Sequence, residues 1–210
     1  MDVLLIGDGG HSKVIQDIIQ SEGKHRVIGL LDDKYERGSI RNNVFVGPVD
    51  SIFERLQENV GIILAIGNNG VRKKLVERLQ IHPSQFVTVI HPSAIVSPSA
   101  SIGRGTVVMP KVVVNANAVV NDHCILNTGS TVEHDCFVDR FAHLSPASTL
   151  TGQVYIEEGV NIGAAATVIP GLKIGSWSVI GAGATVIEDI TANQTAVGCP
   201  AKVISKASVI

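Results

Sequence analysis

The sequence predicts a chain in two parts, a small α/β unit followed by a parallel β-helix, and three observations carry that reading. Residues 89–190 repeat every six residues without an insertion. The second residue of each of the seventeen hexads is aliphatic, from Ile90, Val96 and Ile102 through Leu126, Val132 and Leu144 to Ile180 and Val186. The last residue of the hexad is mostly small, as at Ala94, Thr106, Cys124, Ser130, Ala142, Ala166 and Ala184, so two positions in six point inward. The first eighty residues lack the repeat and alternate short apolar runs with helical spacing. A six-residue period marks a parallel β-helix, in which each coil buries its core only by stacking on the next. An amphipathic helix would need apolar steps of three and four. Three hexads close one triangular coil, so residues eighteen apart stack, and seventeen hexads make between five and six coils.

In the N-terminal part, residues 3–6 read as an apolar strand and Gly7-Asp8-Gly9-Gly10 as a turn. Val14, Ile15, Ile18 and Ile19 then recur at helical spacing. Residues 26–31 supply a second strand ending in Asp32-Asp33, residues 49–59 a second helix, 62–66 a third strand and 71–79 a third helix. The alternation predicts a parallel sheet with helices packed on it, a half-Rossmann-like unit over residues 1–82. Pro83 ends the last helix, which leaves residues 83–210 as the solenoid with a C-terminal cap.

Composition narrows the function classes. With 210 residues, 45% of them hydrophobic, the chain has material for two small cores. A net charge of -2 offers no basic surplus for nucleic acid. The apolar runs are far too short to insert into a bilayer, and residues 1–2 lead straight into a strand, which points to a soluble cytoplasmic protein. Cys124, Cys136 and Cys199 are odd in number and lack metal-ligand spacing. Two of them occupy inward positions and read as buried free thiols.

Gly7-Asp8-Gly9-Gly10-His11 joins a strand to a helix. Glycines there let the backbone approach a ligand, and the helix N-terminus offers unpaired N–H groups to a phosphate. Ser12 follows where a dinucleotide fingerprint needs a third glycine, so the loop suits a nucleoside diphosphate better than a dinucleotide. Asp32, Asp33 and the turn Gly67-Asn68-Asn69 end neighbouring strands, where such sheets bind ligands.

The blocks Asn161-Ile162-Gly163-Ala164-Ala165-Ala166 and Val179-Ile180-Gly181-Ala182-Gly183-Ala184 resemble those of the bacterial hexapeptide transferases. That resemblance implies a left-handed coil, acyl transfer from a CoA thioester and a homotrimer. Gly9-Gly10-His11, Leu31-Asp32-Asp33, Gly67-Asn68-Asn69 with Arg72-Lys73-Lys74, Glu133-His134-Asp135, Ala142-His143 and Gly198-Cys199-Pro200-Ala201-Lys202 narrow it. Over essentially the whole chain they are similar to the UDP-4-amino-sugar N-acetyltransferases of the bacillosamine pathway and their sialic acid O-acetyltransferase relatives. The likeness implies a role in bacterial glycan or exopolysaccharide synthesis, acetyl-CoA as co-substrate, and a UDP-amino-sugar held by Gly9, Gly10, His11, Asp32, Asp33, Gly67, Asn68 and Gly70. It also implies that His143 contacts acetyl-CoA.

Acetyl transfer needs a base for the attacking group, donors for the oxyanion and a slot for pantetheine. His134 fits the first role, with Asp135 or Glu133 to orient its ring; the similar family carries glutamate where this chain has Asp135. Gly152 lies eighteen residues beyond His134, hence one coil above it, with a backbone N–H free of side-chain cover. Gly163 with Gly181, and Ala164 with Ala182, form rows of small residues suited to pantetheine, and Lys202 is placed to meet phosphates. Outward Val107, Val113, Val119 and Ile125 would expose apolar strips that a trimer covers.

Other readings remain open. Sugar O-acetylation and serine acetylation use the same chemistry, and a non-catalytic scaffold keeps the fold alone. His123, His134 and His143 invite comparison with the zinc carbonic anhydrases of this architecture, but their intervals of 11 and 9 residues are not the eighteen that one corner requires, so no metal is expected.

Overall fold

The computed structural model describes residues 1–204. The N-terminal unit contains β1 (Asp2–Ile6), α1 (Gly10–Glu22), β2 (Arg26–Leu31), β3 (Ser39–Arg41), β4 (Val44–Gly47), α2 (Ile52–Arg55), β5 (Val60–Leu64) and α3 (Asn69–Leu79). Its sheet has the order β3-β4-β2-β1-β5, with only the β3-β4 pair antiparallel. Central β1 is apolar at successive positions because both its faces are covered. Leu4 and Ile6 share a core with Ile52, Leu75 and Leu79 of α2 and α3. Val3 and Leu5 share another with Ile15, Ile18 and Ile19 of α1 and with Val89, Val107 and Ile125 of the solenoid. The two units are therefore welded by one continuous apolar cluster. The connection reinforces it, since the Val87 N–H donates to the Ile62 carbonyl at 2.9 Å and extends the sheet edge into the first coil.

The solenoid follows the hexads without a slip. Seventeen two-residue strands run from Val89–Ile90 to Thr185–Val186 in three parallel faces. Registers step by eighteen, with Val113 opposite Thr131 and Thr131 opposite Thr149. The first face holds Ile125–Leu126, His143–Leu144, Asn161–Ile162 and Val179–Ile180; the second holds Thr131–Val132 and Thr149–Leu150; the third holds Phe137–Val138 and Tyr155–Ile156. In all but the first two hexads and the last, the fifth residue turns the corner in the left-handed backbone region, as at His123, Asp135, Gln153 and Trp177, with φ of 59°, 59°, 60° and 59°. Such residues normally resist that conformation, and the stacked coils above and below hold them in it. Thr195–Val197 joins the first face and pairs antiparallel with Lys202–Ile204, which caps the top.

Four local expectations change. The second helix stops at Arg55, because Leu56 takes an extended conformation and the chain turns into β5. That strand begins at Val60 and includes Gly61, where a Cβ would lie 2.2 Å from Val87, so the glycine marks a close approach within the strand. The β3-β4 hairpin was not anticipated; Asn42 and Asn43, with φ of 49° and 63°, form its two-residue turn. Of the outward aliphatics, Val107 and Ile125 are each only 1% exposed, covered by the chain's own N-terminal unit and not left for a neighbour.

Candidate active site

His134 and Asp135 are the fourth and fifth residues of their hexad and lie at the corner between the second and third faces. The left-handed backbone at Asp135 turns its carboxylate back beside the preceding side chain. Asp135 Oδ2 lies 2.8 Å from His134 Nδ1, so the shorter acid reaches the ring. The other oxygen, Oδ1, accepts from Asn117 Nδ2 at 3.1 Å, one coil below. Pairing with His134 and then Asn117 holds the Asp135 carboxyl below the usual range. With Nδ1–H donating to Asp135, Nε2 is the acceptor, which is the tautomer a general base needs. Glu133 makes no hydrogen bond to this ring among the described residues, so the orienting contact belongs to Asp135 alone.

The imidazole lies against Gly152. A Cβ built there would stand 2.6 Å from His134 Nε2 and 2.7 Å from Cε1, so only glycine leaves room for the ring. Gln153 N–H donates to the His134 carbonyl at 2.9 Å and fixes the two coils. The Gly152 N–H itself has no backbone or side-chain acceptor among the described residues. A ring nitrogen able to accept a proton and a backbone N–H without an acceptor thus sit side by side, the arrangement that attack on a carbonyl requires.

The row Gly163, Ala164, Gly181 and Ala182 lies elsewhere, at the corner between the first and second faces. Gly163 is packed on the coil above, where a Cβ would come within 2.5 Å of the Ala182 nitrogen. The His134 corner and this row are therefore the two ends of the second face.

A cavity of about 620 Å³ opens on the first face, between Gly67, Asn68, Asn69 and Gly70 on one side and His143, Ser145, Asn161, Trp177 and Val179 on the other. His143 Nε2 lies 3.1 Å from Asn127 Nδ2, and the Asn127 oxygen is held by the Thr128 N–H at 2.8 Å. The ring also meets the Gly67 carbonyl. Burial first, then the charges of Arg72 and His11, push the His143 imidazole down to about 4. His11 joins the same cluster; its Nε2 is buried without a hydrogen-bond partner, and burial with the Arg72 charge brings it to about 4. His11 and His143, expected on nucleotide and CoA respectively, thus meet at one interface.

Gly9 and Gly10 face open space at the start of α1, which has no side-chain cap, and Gly67 is equally open. Asp32 is committed to loop geometry: its Oδ2 accepts from the Asp8 N–H at 2.8 Å and its Oδ1 from the Lys34 N–H at 3.0 Å. Asp33 Oδ1 accepts from Val49 N–H at 3.1 Å. Asn68 Oδ1 caps α3 through the Val71 N–H at 3.0 Å, while Gly70 lies in its first turn beside the cavity. Lys202, on the exposed cap, lies 3.2 Å from Glu188.

The chain matches two family models: "PglD N-terminal domain" over residues 2–79 and "Bacterial transferase hexapeptide (six repeats)" over residues 153–188. It superposes on the acetyltransferase domain of PglB from Neisseria gonorrhoeae FA1090 with a TM-score of 0.88 and 37% identity, covering 97% of this chain and 99% of that one. The chain belongs to the bacterial hexapeptide sugar N-acetyltransferase family. Another family structure, PerB from Caulobacter crescentus in complex with CoA and GDP-perosamine, is 35% identical with a TM-score of 0.87 and 98% of each chain covered. UDP-N-acetylbacillosamine N-acetyltransferase of Bacillus subtilis (strain 168) is 45% identical over 107 residues, half of this chain and half of that protein. The solenoid is accordingly the left-handed β-helix of the family.

Within that family frame, Ser145, Asn161, Trp177 and Val179 of the cavity escaped sequence reasoning as site residues, whereas His143 did not. His143, Asn161 and Val179 are eighteen apart and form one outward column, a signal that coil counting contains. Trp177 sits at a corner with its ring over Gly159, where a Cβ would be 2.5 Å away. Asn69 donates to the carbonyls of Gly159 and Val160 at 3.1 and 3.2 Å across the two units. His123 is packed between Phe86 and Phe141, at ring distances of 4.7 and 5.1 Å, and burial brings it to about 4. It is a packing residue, and among the described residues no three His, Cys, Asp or Glu side chains form a metal-holding group. Burial also pushes the Cys124 thiol up to about 12, so it is no nucleophile at neutral pH. No helix among the described residues is long and apolar enough to cross a membrane.

Proposed function

We propose that this chain transfers the acetyl group of acetyl-CoA to the free 4-amino group of a UDP-linked sugar, in the bacterial cytoplasm, for glycan or exopolysaccharide assembly. The observation that carries the reading is the His134 Nε2 face, oriented by Asp135 and set beside the unpaired Gly152 N–H. The amine lone pair attacks the thioester carbon while Nε2 takes the amine proton. Gly152 N–H donates to the oxyanion; collapse breaks the C–S bond, and the imidazolium returns its proton to the CoA sulfur. Direct attack needs no covalent enzyme intermediate. The relatives support the acceptor class: one is named for UDP-N-acetylbacillosamine, and PerB is held with GDP-perosamine and CoA.

The acceptor's nucleotide fits the loop of Gly9, Gly10 and His11, where the open start of α1 suits a diphosphate, beside Gly67, Asn68 and Gly70. Asp32 and Asp33 shape that loop from behind. Acetyl-CoA runs along Gly163, Ala164, Gly181 and Ala182 toward His143. The placement of these parts supports a homotrimer. The base corner lies opposite the first face, which carries the cavity, so the working site combines His134 and Gly152 of one chain with the cavity and small-residue row of its neighbour.

The test is thiol release from acetyl-CoA with a UDP-4-amino-sugar, its UDP-4-hydroxy counterpart, a GDP-4-amino-sugar and serine. Release with the UDP-amino-sugar, lost in His134→Ala, is expected. Release with the hydroxy sugar or serine alone would overturn the acceptor and keep the solenoid chemistry.

A further inference from the structure

Arg72 of α3 is 1% exposed, and every guanidinium N–H has a main-chain carbonyl partner. Nε donates to His123 at 3.1 Å; Nη1 donates to Ile66 at 3.2 Å and Gly67 at 2.9 Å; Nη2 donates to Phe141 at 2.8 Å and Ala142 at 3.3 Å. Two of these acceptors lie on the loop between β5 and α3, and three lie on the solenoid. Burial lowers the group to about 10, which still leaves it a cation at neutral pH. A buried cation with only dipoles around it is costly to desolvate, and an apolar side chain of like volume would join the units more cheaply. What the planar fork supplies instead is fixed geometry across five acceptors.

That geometry ends at the cavity. The Gly67 carbonyl held by Nη1 is the one the His143 ring meets, and the Ala142 carbonyl held by Nη2 directly precedes His143. We propose that Arg72 is a positioning residue, which sets the register between the Gly67–Gly70 loop and the first solenoid face, and so fixes where the acceptor sugar lies relative to the thioester. The proposal rests on the acetyltransferase reading for its kinetic consequence, while the loop register itself is independent of it.

Two full-length variants test it: Arg72→Lys, which keeps charge but cannot span five acceptors, and Arg72→Met, which keeps volume. Both are expected to raise KM for the UDP-4-amino-sugar about tenfold or more and to lower kcat, with KM for acetyl-CoA within about threefold. Amide hydrogen exchange at residues 67–70 should rise at least about tenfold while the coils at 161–186 stay protected. Equal rises in both KM values, or faster exchange throughout the solenoid, would reduce Arg72 to a stability residue and overturn the proposal. Unchanged exchange at 67–70 would overturn it as well. Should the wild-type chain release no thiol with the amino sugar, the functional reading falls, and the exchange pattern alone decides the role of Arg72.

Discussion

Gly152→Ala probes the base without touching it. The added methyl would stand 2.6 Å from His134 Nε2, whereas ordinary contact begins at 3.4 Å, so the ring must retreat by about 0.8 Å. Gly152 does not use a left-handed backbone, and although it is buried, the atoms its Cβ would meet all belong to the exposed His134 side chain, which can give way, so alanine is tolerated by the fold. The retreat strains the 2.8 Å hydrogen bond to Asp135 and moves the proton-accepting nitrogen off the line of attack. A misplacement near 1 Å at a reacting atom costs on the order of 10²-fold in rate. We therefore expect kcat for thiol release to fall about a hundredfold, with the melting temperature shifted by no more than about 2 °C. A variant within threefold of wild-type kcat would refute the placement of His134 Nε2 as the base, whatever its effect on KM.

Other consequences are equally direct. Mixing His134→Ala with a cavity-blocked Gly67→Trp chain, followed by subunit exchange, should restore about one quarter of wild-type activity if each site draws on two chains, and none if it is built within one. His11, His123 and His143 are each lowered to about 4 from 6.5. Above pH 6.5 both folded and unfolded chains hold them neutral; between 6.5 and 4 only the unfolded chain takes up the protons, so stability is lost there, by up to about 3 kcal/mol per residue. His123→Phe, which keeps the aromatic stack, should shed one histidine's share of that acid sensitivity in urea unfolding at pH 7 and 5; an unchanged pH dependence would count against its buried neutral state.

The solenoid was legible because one rule governs seventeen hexads: a position either meets the core or does not, and a slip of one residue would expose Ile, Val and Leu all along the chain. The same count places His134 beneath Gly152, since they differ by eighteen. It also separates the base from the small-residue row. His134 and Ala164 differ by thirty, one full coil and two hexads more, which is a different corner. What coil counting cannot supply is the docking of the α/β unit, which depends on side chains from two distant segments meeting once. Arg72 looks in the sequence like the first of three basic helix residues, yet it alone is buried, because its position on α3 faces the solenoid while Lys74 faces outward. Asp32 likewise looks in the sequence like a strand-end ligand contact, and nothing there shows that its oxygens hold the Asp8 and Lys34 amides. Periodic structure repeats its evidence and single contacts do not. The consequence for the proposed function is specific: the two-chain site proposed above rests on the corner rule that puts His134 and the small-residue row at opposite ends of one face.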